Sequence, residues 1–394
     1  LIIKPITTAQ HMVAESLKKT VGTKKIVIIA NFATDRVNGA YNVIENIAAY
    51  TNKLGYNCEL WGLSTELDQN PYPFYVHFKA NLLHFAVPED LKNKLIAERD
   101  SIICVNLHSV FTPINIGLSK LVKALNITLC VTPQGGYHDY TFKRNYLKKK
   151  IFLFLYEKAY LKRIDYFFIH GSQEENFIKK YSSKPCYTLL NGFPEGKINS
   201  SIYDHQSTGP HQKLKLLFMG RLDPLHKGLD LLIKSMSYLK HADVELTLIG
   251  PLFTNEGQKY LPELIKSLNL AKAVAIKAPV YKQIEKEGLY ASHQVFVHAS
   301  RWEGMPTGVI EALSYGMPVL VSTGTNLGDI VEKEQLGWVI NELTPAGIAA
   351  VIKDICEHKQ KLNEFSENAY TKSPQIFDWN EIAKQYVEYV LLNA

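Results

Sequence analysis

A chain of 394 residues is longer than one ordinary hydrophobic core supports, so two domains are expected. Its 46% hydrophobic and 21% charged residues are ordinary for a soluble globular protein. The net charge is +6, but between residues 143 and 163 eight lysines and arginines face one acid, Glu157, which leaves the rest of the chain near −1. Basicity this local excludes general nucleic-acid binding. Five cysteines, with Cys58, Cys104 and Cys130 inside apolar runs and no CxxC or Cys/His cluster, exclude a disulfide framework and a structural zinc. With no leader pattern and no apolar run of bilayer length, a cytoplasmic protein is expected.

Residues 24–30 (KKIVIIA) read as a strand, 31–40 as a polar loop ending in Asn38, Gly39 and Ala40, and 41–54 as a helix stopped by Gly55. Strand, glycine-bearing loop and helix open a doubly wound unit. Gly39 either lets a ligand approach the backbone or serves turn geometry alone. Strand-like runs follow at 58–63, 84–87, 101–106, 127–132 and 165–170, with helical stretches at 88–98 and 116–125. This alternation predicts a parallel sheet covered on both faces, with ligands beyond the carboxyl ends of its strands. Segments 106–109 (NLHS) and 132–140 (TPQGGYHDY) fall on that rim. His108 and His138 there are either acid/base groups or structural hydrogen-bonding residues.

Residues 142–163 mix the basic cluster with Phe142, Tyr146, Ile151, Phe154, Leu155, Tyr160 and Leu161. Two readings stand side by side: a helix whose apolar stripe packs on the sheet while its lysines face water, or a surface that rests on anionic lipid. The stretch 189–194 (LLNGFP) ends the first half, and the polar 195–212 reads as a linker. A second alternation places strands at 215–219, 244–250, 274–278, 295–297, 318–322 and 336–340. Helices fall at 228–239, 261–268, 281–291 and from 307, and residues 379–392 form an amphipathic tail helix.

The chemistry concentrates around residues 298–320 (HASRWEGMPTGVIEALSYGMPVL), a strand, a loop broken by Gly and Pro, and a helix start suited to an anion. Glu303 and Glu311, with seven residues between them, either complement the helix dipole or accept hydrogen bonds from hydroxyls. Arg221 and Lys227, six apart across another strand–loop–helix, suit one anion between a planar fork and a point charge. With the helix start at Thr307 they make a diphosphate site. The chain has neither a Walker-type phosphate loop nor a first-strand GxGxxG, which counts against P-loop ATPase and NAD dehydrogenase readings. It has no Asp-x-Asp pair, so no metal is expected and protein cations must neutralise the phosphates.

From residue 215 to 340 the chain resembles the retaining, family-four glycosyltransferases of the GT-B fold. The resemblance rests on LLFMGRLDPLHKGLDLL, VELTLIG, the 298–322 block, Gly328-Asp329-Ile330-Val331 and Gly337-Trp338-Val339, in that order. The first half is similar more loosely, through Asn38-Gly39, NLHS, Pro133-Gln134-Gly135 and Asn191-Gly192. It implies an α/β protein of two Rossmann-like parallel-sheet domains facing each other across a cleft. Residues 1–195 would take the acceptor, 196–377 would bind the nucleotide sugar, and 378–394 would return to the first domain. Arg221 and Lys227 would hold the donor diphosphate. Glu303 would meet sugar hydroxyls and Glu311 ribose hydroxyls. Gly304, Met305, Pro306, Thr307 and Gly308 would form the donor turn, with backbone N–H groups in 305–308 serving phosphate and sugar, and Gly39 would approach the phosphate from the other domain. On the acceptor side stand His108, Gln134 and His138. Many relatives carry histidine where this chain has Gln134, so either His138 substitutes or the leaving phosphate takes the acceptor's proton.

The resulting expectation is a metal-independent retaining hexosyltransferase without a cofactor. It would use a nucleoside diphosphate sugar, UDP-hexose first, and a glycan or lipid-linked acceptor in polysaccharide biosynthesis. Peripheral contact with the inner membrane face stays open through residues 142–163. The rivals are a disaccharide-phosphate synthase and a catalytically silent nucleotide-sugar-binding scaffold.

Overall fold

The computed structural model describes residues 24–31, 39–66, 72–138, 140–141, 146–193, 213–240, 242–252 and 254–394. Asn38 with most of its loop, Asp139, Phe142, Lys143, Arg144, Pro194 and the 195–212 linker lie outside these residues. The chain divides into two compact units, one running to Gly192 and resuming at Trp379–Ala394, the other spanning Phe193–Asp378.

In the first unit β1 (Lys25–Asn31), β2 (Asn57–Ser64), β3 (Tyr75–Lys79), β4 (Ile102–His108), β5 (Thr128–Thr132), β6 (Tyr166–Ile169) and β7 (Cys186–Thr188) form one sheet. Its order is β3-β2-β1-β4-β5-β6-β7 and every pairing is parallel. All of β4 and nearly all of β1 is buried, as a strand covered on both faces must be, which explains their unbroken apolar runs. The helix Trp379–Leu392 belongs to this unit and packs on the helix Gly39–Lys53, with Trp379 stacked on Tyr50 at 6.2 Å.

The second unit holds β8 (Leu214–Met219), β9 (Val244–Ile249), β10 (Val274–Lys277), β11 (Val295–His298), β12 (Val319–Ser322) and β13 (Gly337–Ile340), again all parallel, in the order β10-β9-β8-β11-β12-β13. The α/β class with two Rossmann-like parallel sheets is thus present in both units. In each, the third connection jumps back across the sheet, so the strand order reverses between β1 and β4 and between β8 and β11. At such a switch point the loops leaving two adjacent strands diverge and open a crevice.

Several expectations need correction. Residues 84–87 are not a strand; the edge strand is β3, which pairs Tyr75 with Leu60 and Lys79 with Ser64. The run 84–87 meets Pro88, the N-cap of the helix Glu89–Glu98, where a proline suits a helix start. Prolines at 71 and 73 precede β3 in the sequence, as an edge strand tolerates. The expected helix at 261–268 begins at Thr254, and the helices Ser172–Lys179, Pro345–Glu357 and Gln360–Ile376 and the strand β7 were not anticipated. The basic stretch is helical from Tyr146 to Arg163, interrupted by a π-turn at Leu153–Glu157. Leu153, Tyr160 and Leu161 bury into the first core.

Candidate active site

The loops after β8 and β11 emerge side by side at the second unit's switch point, and hydrogen bonds knit them together. Asp223 Oδ1 accepts the N–H groups of Leu225 and His226 at 3.1 and 2.9 Å, which folds the first loop into a tight turn. Gly228 closes that turn at φ +64°, and a Cβ there would lie 2.0 Å from the Ala299 carbonyl oxygen. Only glycine meets both conditions. Arg301 fastens the two loops: its backbone N–H donates to His226 O at 3.0 Å. Its guanidinium donates to Leu225 O at 2.7 Å and forks onto Asp230 at 2.7 and 2.8 Å. Asn326, left-handed at φ 59°, donates to the Glu303 and Gly304 carbonyl oxygens at 3.0 and 2.8 Å and holds the second loop from behind.

This scaffold places Glu303, only 8% exposed, at the centre of a cluster. Its Oε1 accepts three hydrogen bonds: from Lys227 Nζ at 2.5 Å, Ser300 Oγ at 2.7 Å and His298 Nε2 at 3.2 Å. The other oxygen, Oε2, has no hydrogen bond among the described residues; His226 Nε2 is 3.6 Å away. Burial by itself raises the carboxyl's pKa, yet Lys227, then His298 and His226, outweigh it and hold the carboxyl well below its usual range. His298 stays neutral, because burial lowers its pKa. His226, stacked on Trp302 at 4.5 Å, is pushed down to about 4 by burial, against the pull of Glu303. The result is an ionised carboxylate, one oxygen fixed and one open, beside an ammonium group. Arg221 is exposed, and its guanidinium lies 3.2 Å from His226 Nδ1.

The helix Thr307–Ser314 begins at Pro306 without a side-chain cap, so its first N–H groups are not taken by one. Gly304, Thr307 and Gly308 are partly exposed there, whereas Met305 and Pro306 are buried. Glu311, one turn along, does not join the Glu303 cluster. It pairs with Lys286 Nζ at 2.9 and 3.2 Å, near Tyr290 and Tyr315. Sequence reasoning passed over His226, His298, Ser300, Lys286 and Asn326. The one available signal was the spacing of His298 and Ser300, five and three residues before Glu303, and it is weak.

In the first unit Gly39 opens the helix Gly39–Lys53. His108, at the end of β4, and Gln134, left-handed at φ 57°, meet at 3.1 Å. Gln134 also reaches His170 Nε2 at 3.3 Å, while His170 Nδ1 lies 2.9 Å from the Leu189 carbonyl oxygen. A carbonyl oxygen only accepts, so His170 carries its proton on Nδ1. Burial lowers its pKa and leaves Nε2 as a lone pair. The Gln134 amide must then turn its NH₂ to His170 and its oxygen to His108 Nδ1–H. His108 Nε2 is left as a buried acceptor with no hydrogen-bond partner among the described residues. Burial first, and His170 second, push the His108 pKa down to about 3, so the acceptor form persists at any ordinary pH. Asn106, His108, Gln134 and Trp379 line a cavity of about 20 Å³, room for one water-sized group. His138 is not in that lining, and its Nδ1 accepts the Tyr140 N–H at 3.1 Å.

A family comparison carries this geometry further, since residues 201–372 match the model described as "Glycosyl transferases group 1". The match contains the whole cluster around Glu303. Among curated relatives, spore coat protein SA of Bacillus subtilis (strain 168) is 25% identical over 184 residues, 45% of this chain and 48% of its own length. The first three such relatives are covered over 48%, 66% and 40% of their lengths, so the chain spans about half of the relatives it matches. Solved structures are similar over almost the whole chain. Sucrose-phosphate synthase from Thermosynechococcus elongatus shares 16% identity at a TM-score of 0.72, covering 92% of this chain and 97% of that one. Anabaena HepE in complex with UDP and glucose shares 17% at 0.69, covering 93% and 99%. These structural likenesses establish the fold alone, and the family likeness lies in the second unit.

Proposed function

We propose that this chain is a metal-independent, retaining glycosyltransferase moving a hexosyl unit from a UDP-hexose to a glycan or lipid-linked glycan, at the cytoplasmic face of a membrane. The observation that carries the reading is the ionised Glu303, with Oε1 fixed by Lys227, Ser300 and His298 and Oε2 open, on the switch-point loop of a group 1 domain. An open carboxylate oxygen accepts a sugar hydroxyl well, and the neighbouring ammonium and uncapped helix start suit a diphosphate. A structural neighbour carrying UDP and glucose supports the choice of donor.

In this reading the glycosyl–phosphate C–O bond breaks with its electron pair leaving on the diphosphate. Arg221, Lys227 and the N–H groups at 305–308 stabilise that charge as it forms. The acceptor oxygen bonds to the sugar carbon on the face the phosphate leaves, and its proton passes to a phosphate oxygen. Glu311 releases Lys286 to hold ribose hydroxyls. His108 Nε2 offers a neutral acceptor to a hydroxyl and takes no proton, in keeping with its pKa of about 3. Gln134 orients His108.

The test is a thermal-shift screen of UDP-, GDP- and ADP-sugars with excess EDTA, followed by donor hydrolysis without acceptor. A UDP-sugar at a hundredfold its Kd should stabilise by about 2.7 kcal/mol, and hydrolysis should survive the chelator. No shift with any sugar nucleotide, or an absolute need for Mn²⁺ or Mg²⁺, would overturn the proposal.

A further inference from the structure

The helical stretch 146–162 exposes Leu147 (69%), Ile151 (51%), Phe154 (72%) and Leu155 (55%), spaced so that they fall on neighbouring turns. Six of the fifteen large exposed hydrophobic residues among those described lie between Tyr146 and Tyr156. Phe85, itself exposed, extends the patch by packing on Tyr156 at 4.7 Å. Water does not favour so large an apolar face, and a patch of this kind marks an interaction surface.

Charge decides what it meets. Lys148, Lys150 and Lys162 are exposed on the same stretch, and Lys158 lies over the Phe154 ring at 5.3 Å. The only acid, Glu157, does not offset them at the surface. The π-turn rotates it inward, where it is fully buried and accepts Tyr137 O–H at 2.6 Å and Phe111 N–H at 3.2 Å. Along residues 146–162 the exposed charges are therefore all cationic, set among apolar side chains. A second copy of this face would bring lysine against lysine. A polyanion such as nucleic acid would answer the lysines and leave the phenylalanine and leucines in water. An anionic bilayer answers both, with head groups for the ammonium ends and acyl chains for the apolar side chains.

We propose that residues 146–162 dock on an anionic lipid bilayer, with Leu147, Ile151, Phe154 and Leu155 entering the interface and Lys148, Lys150 and Lys162 meeting the head groups. This surface belongs to the first unit and the Glu303 cluster to the second, and it is tested by partitioning, so it stands or falls independently of the donor chemistry. The experiment is sedimentation with vesicles of phosphatidylcholine, with and without phosphatidylglycerol, at low and high salt. Wild type should pellet with the anionic vesicles and detach in part as salt rises. Lys148→Gln/Lys150→Gln/Lys162→Gln should lower partitioning about fivefold per lysine. Phe154→Ser/Leu155→Ser, all charges kept, should lower it at least about tenfold, with the thermal midpoint unchanged because both side chains are exposed. Equal partitioning of wild type onto neutral and anionic vesicles would overturn the proposal. So would a concentration-dependent dimer abolished by the serine pair, which would assign the face to a second copy.

Discussion

Replacing Lys227 by methionine removes the ammonium 2.5 Å from Glu303 Oε1 and leaves a buried carboxylate with Ser300 and His298 as its remaining donors. Removing one partner of a buried pair costs about 3–5 kcal/mol. The lower end applies here, because the Glu303 and Lys227 side chains keep 10% and 13% exposure and two donors stay in place. A loss of about 3 kcal/mol, in a unit of this size, lowers its thermal midpoint by roughly 6–12 °C. The pH dependence is more telling. In wild type the Glu303 carboxyl is held below its unfolded value, so its stabilisation is present above about pH 4.5 and is lost as pH falls through the folded pKa. Without Lys227, burial becomes the main influence and the pKa rises. The variant is then penalised at pH 7.5 and relieved on acidification. The gap between variant and wild type should narrow steadily from pH 7.5 to 5, and Lys227→Met/Glu303→Gln should recover much of the loss. Calorimetric scans at several pH values measure both. A gap that does not change with pH, or a double variant as unstable as the sum of the singles, would refute the coupling.

Glu311→Gln should weaken free UDP about 10–100-fold, whereas Lys286→Ala should leave UDP affinity unchanged or improved, since it only frees the carboxylate; titration calorimetry reads both. Should Glu303→Gln lose UDP while Glu311→Gln keeps it, the roles of the two carboxylates are reversed. Burial raises the Glu157 pKa to about 7, so the unfolded chain ionises first and the group costs stability increasingly from about pH 4.5 upward. Glu157→Gln should therefore stabilise by about 1–3 kcal/mol at pH 7.5, with the gain vanishing near pH 4, as denaturant midpoints across pH will show. Gly228→Ala should cost about 3 kcal/mol or more, because the new Cβ meets the Ala299 carbonyl oxygen and φ is +64°. A urea midpoint equal to wild type would mean that the loop shifts without strain.

Much was readable in one dimension because it depends on local pattern. Unbroken apolar runs such as IICVNLH and VFVH are buried on both faces of a parallel sheet, and their alternation with helical periodicity fixed both the class and the two-unit layout. Glu303, Glu311, Arg221 and Lys227 stood out through their spacing around strand–loop–helix turns. What failed was also local: β3 sits behind two prolines, and an apolar run at 84–87 ends on a helix cap.

The partners of those residues were another matter. Seventy-six residues separate Lys227 from Glu303, and twenty-five separate Lys286 from Glu311. Nothing in the spacing told that one carboxylate takes a lysine from the β8 loop and the other a lysine from the helix Gln283–Ser292. The strand order decides it, because β8 and β11 are neighbours only once the third connection has crossed back over the sheet. The inward turn of Glu157 is of the same kind. In sequence it offsets the lysines around it, and a π-turn with the Tyr137 hydroxyl beneath removes it from the surface they share. Composition and periodicity determine which segments fold and which face each must bury. Which charges then meet is a long-range matter, set by sheet topology, because a Coulomb pair depends on distance in space and not along the chain.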